Sequence, residues 1–186
     1  MSLAFTPQVC GPRCSRTERS VGLGVRPLPD GAYGVQLEHE ERQLLRGLAA
    51  ELEQLVRSED AGVARLFPPA YRDDPAAEDE YRRLVRGTLA SGRLDALRVL
   101  QTGVASERIT QEEADVWCSA LNDLRLVLGE RLGVTQDLYE KGLDLDDPQV
   151  VELSIYGWLT WLQGTVIDAL AANLLRKVQE SAEADS

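Results

Sequence analysis

The chain has 186 residues, 44% of them apolar and 27% charged, a balance that supports one domain with a real core and excludes global disorder. Its formal charge of -11 weighs against direct nucleic-acid binding, which needs clustered Lys and Arg, and against an anionic membrane surface. A protein partner with a basic surface suits that charge.

Met1 to Val9 holds no apolar core of signal-peptide length, and Pro7 interrupts it. Three cysteines, a small odd number, do not make a secreted disulfide framework, so a cytoplasmic protein is expected. Residues 1–20 carry Cys10, Cys14, Arg13, Arg16 and Arg19 without a repeating apolar pattern, and are expected to form a flexible arm. In Cys10-Gly11-Pro12-Arg13-Cys14 two thiols can reach bonding distance only if the chain folds back, and Gly-Pro supplies turn chemistry. Neighbouring guanidinium groups favour the thiolate, the form that oxidants attack. A loop this short would contribute only about 2 kcal/mol of chain-entropy stabilisation, so a bridge here would signal rather than hold the fold. Spacing alone leaves a second reading open, in which both cysteines are incidental to the arm.

From Val21 the pattern changes. Val21, Leu23 and Val25 alternate, Pro27, Pro29, Asp30 and Gly31 mark a turn, and Tyr33, Val35 and Leu37 alternate again, which predicts a hairpin. Four helices follow. Leu44, Leu45, Leu48, Leu52, Leu55 and Val56 carry the three-and-four spacing of the first. An acidic run, Asp73, Asp74, Glu78, Asp79 and Glu80, reads as a solvated connector feeding a second helix from about Glu78. Gly87 and Gly92 weaken that helix and predict a break near Ser91. Thr110 and Glu113 have capping-box spacing for the third, which Gly133 should stop. Asp147-Pro148 should open the fourth, running to about Val178 over roughly 45 Å. That helix is apolar on almost every face between Val150 and Val166, so it should be central in the bundle or lie between two subunits. Its charge-free stretch, Leu153 to Ile167, is too short to span a membrane.

Candidate chemistry is sparse. The one histidine, His39, sits among Glu38, Glu40 and Glu41 with no nucleophile beside it, so no enzyme is expected. Gly22-Leu23-Gly24 lacks the third glycine and the strand-to-helix context of a phosphate loop. Asp144, Asp146 and Asp147 lack the glycine and distal glutamate of a calcium loop. Cys10, Cys14, His39 and Cys118 could compose a zinc set, but Cys118 beside Trp117 reads better as a small buried hydrophobe. No metal or cofactor is expected.

Leu66-Phe67-Pro68-Pro69-Ala70-Tyr71, Trp117 with Ala120-Leu121-Asn122-Asp123-Leu124-Arg125-Leu126-Val127-Leu128-Gly129, and Tyr156-Gly157-Trp158-Leu159-Thr160-Trp161-Leu162-Gln163 resemble the actinomycete oxidative-stress transcriptional regulators (AosR-like), over roughly residues 25–175. The resemblance implies a redox-responsive regulator in which a Cys-x-x-x-Cys pair, here Cys10 and Cys14, closes a reversible intramolecular disulfide. It also implies action through an RNA polymerase sigma factor.

The expected architecture is therefore mainly α, a bundle of about four to five helices with a small N-terminal β-hairpin. The arm would occupy residues 1–20 and a single helical domain residues 21–180. A protein partner such as a sigma factor is expected, with a homodimer possible and no direct nucleic-acid or membrane contact. Tyr156, Trp158 and Trp161 are the candidate partner or dimer surface. The alternative is a constitutive, non-enzymatic adaptor or dimeric scaffold.

Overall fold

The computed structural model describes residues 24–134 and 149–184. The expected arm, the start of the predicted hairpin at Val21 and the Asp147-Pro148 cap lie outside them.

The hairpin is present as β1, Gly24–Pro27, paired antiparallel with β2, Tyr33–Gln36, with Val25 opposite Val35. The turn closes through the Leu28 N–H to the Ala32 carbonyl at 2.8 Å. Alternation puts Val25, Tyr33, Val35 and Leu37 in the core. A third strand, β3, Arg108–Ile109, adds to the free edge of β2, with Tyr33 opposite Ile109. Two residues carry no readable period, so the sequence pointed to a hairpin where the protein has a three-stranded sheet.

Helix α1, His39–Arg57, buries Leu45, Ala49, Leu52 and Val56. Its Arg42 reaches back to the sheet. Nε donates to the Leu37 carbonyl at 2.9 Å, Nη2 to Val35 at 3.1 Å, and Nη1 to the Val104 carbonyl and to Ser106 at 2.9 Å. One guanidinium thus satisfies four carbonyls of the sheet and of the turn before β3. A short 3-10 helix, Ala61–Leu66, follows with Asp60 as its cap.

Helix α2 spans Pro75–Gly103, with Asp74 accepting from the Ala77 N–H at 3.1 Å and Pro75 in the first turn. The predicted break near Ser91 does not occur; the helix runs unbroken past Gly87 and Gly92. Tertiary contacts outweigh the local glycine cost of about 1 kcal/mol each, because Arg93 anchors the middle and Leu97 and Leu100 bury the end. The acidic run also departs from the expected solvated connector at one residue. Glu78 is buried, its Oε2 accepting the Ala70 N–H at 2.8 Å and the Tyr71 N–H at 2.9 Å. The Tyr71 amide first, then Arg82 and the Ala70 amide, outweigh burial and hold its carboxyl below the ordinary value.

Helix α3, Gln111–Leu132, begins with the predicted capping box: the Glu113 N–H donates to Thr110 Oγ1 at 3.2 Å and the Thr110 N–H to Glu113 Oε2 at 2.7 Å. It ends at Gly133 in the left-handed region. Helix α4 is Val150–Ala184, six residues longer than the expected end near Val178. The centre of the bundle is α3, packed against α1, α2, the 3-10 helix and α4, with Trp117 fully buried. Helix α4 lies along α3 and under β1, with its remaining face outward.

Inside the core, Arg93 pairs with buried Asp123 and donates to the Leu66 carbonyl at 2.7 Å. Burial pushes the Asp123 carboxyl above its ordinary value, and the Arg93 guanidinium pulls it back. Arg93→Ala should cost about 3–5 kcal/mol at neutral pH, because it strands a buried carboxylate. The unfolded chain keeps an ordinary Asp123, while the folded variant raises it further. The deficit should therefore be smallest below pH ~4 and deepen as pH rises through the raised value. Urea unfolding of both proteins across that range measures it; a deficit that shrinks as pH rises contradicts the account.

Candidate functional site

Cys10 and Cys14 lie outside the described residues, and the segment that carries them leads directly into the described fold. It enters at Gly24, whose φ is +69°. A Cβ there would lie 2.8 Å from Thr165 Cγ2 and closer still to its Oγ1, so the position admits only glycine on both counts. The next residue, Val25, donates its N–H to Thr165 Oγ1 at 3.1 Å, and that hydroxyl donates to the Leu162 carbonyl at 2.8 Å. The chain therefore comes into the domain pressed onto the middle of α4.

Toward α3, the same helix presents Tyr156, Thr160 and Gln163. Arg125 of α3 donates through Nε to Thr160 Oγ1 at 3.0 Å and through Nη1 to Gln163 Oε1. Gln163 Nε2 donates to the Cys118 carbonyl at 3.1 Å and stands 3.9 Å from its Sγ. The Arg125 guanidinium lies 5.5 Å from the centre of the Tyr156 ring. That ring rests on Gly129, where a Cβ would be 3.1 Å from Cε2. The distinctive sequence segments around Asp123-Leu124-Arg125 and Tyr156 to Gln163 thus meet, and they lock helices together.

The three aromatic residues singled out by sequence do not converge on one surface. Tyr156 packs toward α3. Trp158 is half-buried and donates Nε1–H to Glu41 Oε1 at 3.2 Å, while Oε2 of that carboxylate accepts the Glu38 N–H at 2.7 Å. Trp161 is the exposed member. Cys118, expected to be buried, is half-buried against the core. His39 stands exposed at the start of α1, its Nε2 2.8 Å from Gln43 Nε2. Among the described residues no group of three His, Cys, Asp or Glu is placed to hold a metal, and no helix is long and apolar enough to cross a membrane.

Sequence reasoning missed Gly24, Thr165 and the Arg125–Gln163 link. Gly24 falls inside the Val21 to Val25 alternation, where a glycine is a sign of close backbone approach. Nothing in the sequence names Thr165 as the residue approached. A separate apolar cleft of about 400 Å³ lies between α1 and α3, floored by Leu52, Leu55 and Leu124, with Glu51 and Arg131 at its rim 3.3 Å apart.

Residues 23–170 match the family model described as Domain of unknown function (DUF2017). The chain is 28% identical to "Oxidative stress regulator AosR" of Mycobacterium tuberculosis (strain ATCC 25618 / H37Rv) over an alignment 207 positions long, gaps included, covering 84% of this chain and 94% of the relative. The Mycobacterium bovis protein of the same name stands at the same identity and coverage. "Putative oxidative stress regulator AosR" of Mycobacterium leprae (strain TN) is 30% identical over an alignment 218 positions long, gaps included, covering 89% of this chain and 99% of the relative. No solved structure matches.

Gly24→Ala should lower stability by about 2–4 kcal/mol, from the positive φ together with overpacking. Thr165→Ala should cost about 1 kcal/mol alone and recover part of the Gly24→Ala loss when combined with it. Thermal unfolding of the four proteins completes the cycle; strict additivity would show that the two positions do not meet.

Proposed function

The chain belongs to the DUF2017 family, and on that premise we propose that it is an oxidative-stress regulator of transcription that senses oxidant through Cys10 and Cys14 and acts through a protein partner, an RNA polymerase sigma factor. The likeness to proteins named oxidative stress regulators, spread over 84% of the chain, is the observation that carries the regulatory part. The thiol pair carries the sensing part, through its spacing, the turn-forming Gly11-Pro12 sequence and the arginines near it in the chain.

In the proposed step a hydroperoxide oxidises one thiolate to a sulfenic acid and is itself reduced to water or an alcohol. The second thiolate then attacks the sulfenic sulfur, a disulfide forms, and hydroxide leaves to be protonated as water. A cellular thiol returns the pair to the reduced state by exchange. Arg13, Arg16 and Arg19, close in sequence to the pair, would favour the thiolate over the thiol. The formal charge of -11 suits a partner with a basic surface and disfavours direct contact with DNA.

A second reading is favoured by one observation: the family-matched segment begins at residue 23, so Cys10 and Cys14 fall outside it. On that reading the chain is a constitutive adaptor whose partner binding ignores the redox state.

Peroxide treatment followed by peptide mass mapping should show a Cys10–Cys14 bridge that dithiothreitol reverses, and affinity for a candidate sigma factor should differ between the two forms. Cys10→Ser and Cys14→Ser should each abolish that difference. Free thiols at both positions after oxidation would falsify the sensing step, and unchanged binding by the double variant under oxidant would favour the adaptor.

A further inference from the structure

The clefts among the described residues differ in charge. The one of about 400 Å³ between α1 and α3 has aliphatic walls, Leu48, Leu55, Val127 and Leu128 among them. Its rim carries three carboxylates, Glu51, Asp60 and Glu130, against one guanidinium, Arg131. The ion pairs there, Arg131 to Glu51 at 3.3 Å and Arg65 to Glu130 at 3.4 Å, join side chains more than half exposed, so they are weak and open to exchange. Two other clefts border Phe67 and are lined by arginine: one holds Arg57, Arg82 and Arg86, the other Arg82, Arg86 and Arg93. An apolar cleft with a negative rim suits an apolar segment flanked by basic residues, and the arginine-lined clefts repel one.

The chain itself contains such a segment. Residues 1–23 carry Arg13, Arg16 and Arg19 against Glu18, with Phe5 and Val9 just before the arginines. Residues 135–148 carry Asp137, Glu140, Asp144, Asp146 and Asp147 against Lys141, the same sign as the rim. Direction and reach also favour the first. Gly24 sits at Thr165 and the Gly31 carbonyl accepts from Asn173, so β1 runs in the same direction as α4. The start of β1 therefore faces back toward the earlier residues of α4, where Tyr156 rests on Gly129 beside Leu128 and Glu130 of the cleft. From Thr165 to Tyr156 is about 14 Å along the helix. The ten residues between Cys14 and Gly24 can span up to about 35 Å.

We propose that residues 1–23 dock in the cleft between α1 and α3, with Phe5 and Val9 on its aliphatic walls and Arg13 and Arg16 at Glu51 and Glu130. The contact goes beyond the oxidant-sensing reading and does not depend on it, because it uses no thiol. The covalent tether holds the segment at an effective concentration in the millimolar range, so a cleft affinity of only about 1 mM keeps it bound about half the time. Any partner that uses the cleft must then displace the chain's own segment.

Paramagnetic relaxation in the full chain tests this. With Cys14 and Cys118 replaced by Ser and a nitroxide on Cys10, the methyl signals of Leu48, Leu55, Val127 and Leu128 should lose at least about half their intensity. Those of Leu89 and Leu94, in the arginine-lined clefts, should not. Arg13→Glu with Arg16→Glu should cut the loss at least about twofold, and Glu51→Lys with Glu130→Lys should do the same. All four substitutions together should bring the loss back, since the charges are then exchanged across the contact. Helix content by circular dichroism should stay unchanged in every variant, because Glu51 and Glu130 are exposed. Signal loss that is absent at the cleft, equal at Leu89 and Leu94, or indifferent to charge reversal overturns the proposal. Loss that appears only between spin-labelled and separately isotope-labelled molecules overturns it too, and assigns the cleft to a second copy. The labelled chain lacks the Cys10–Cys14 pair, so none of these outcomes bears on whether that pair senses oxidant.

Discussion

Helix α4 is apolar on almost every side, so the hydrophobic effect, which has no direction, cannot by itself decide which side faces the core. Polar side chains make that decision. Arg125 fixes Thr160 and Gln163, Gln163 finds the Cys118 carbonyl, Trp158 finds Glu41, Thr165 takes the Val25 amide, and Asn173 Nδ2 donates to the Gly31 carbonyl at 2.9 Å. Each net bond is worth only about 1 kcal/mol, but each is satisfied at one rotation of the helix and unsatisfied when buried at any other. A one-residue slip would turn α4 by about 100° and strand several of them together. The choice of inner face is thus made by directional bonds, and the outer face is whatever remains.

The parts of the fold governed by local rules were legible in the sequence. The Thr110–Glu113 box, the Gly133 stop and the hairpin alternation all act within a few residues of themselves, where spacing carries the information. Two of the misses share a cause in distance along the chain, and the third in a carboxylate turned back onto its own loop. β3 exists because β2 offers an edge about 75 residues earlier, not because Arg108-Ile109 is a strand former on its own. Helix α2 passes Gly87 and Gly92 because Arg93 is held by Asp123 and the Leu66 carbonyl, 30 and 27 residues away. Glu78 is buried because it closes the loop at Ala70 and Tyr71, whereas a run of five acids reads from sequence as solvent-facing. For the candidate site, sequence supplied the aromatic residues of α4 without their faces, since Tyr156, Trp158 and Trp161 point to three different surroundings.

The motif residues that make this chain recognisable are mostly structural. Asp123 serves Arg93, Arg125 serves Thr160 and Gln163, and Tyr156 fills the notch at Gly129. A shared motif of this kind transmits a fold, and function has to be argued from other residues. Cys10 and Cys14 lie in the segment before residue 23, outside the matched family region.

That separation fixes where the two regions join. The segment before residue 23 enters the described fold at Gly24 and Val25, where β1 is packed along α4 and the Val25 amide bonds to Thr165. Loss of one net hydrogen bond of about 1 kcal/mol shifts a two-state equilibrium by only about fivefold, far short of the roughly 10⁴-fold that inverts a population. On the proposed reading a sharp response therefore requires more than that one bond: either the packing of β1 on α4 changes with it, or the partner contacts the segment itself.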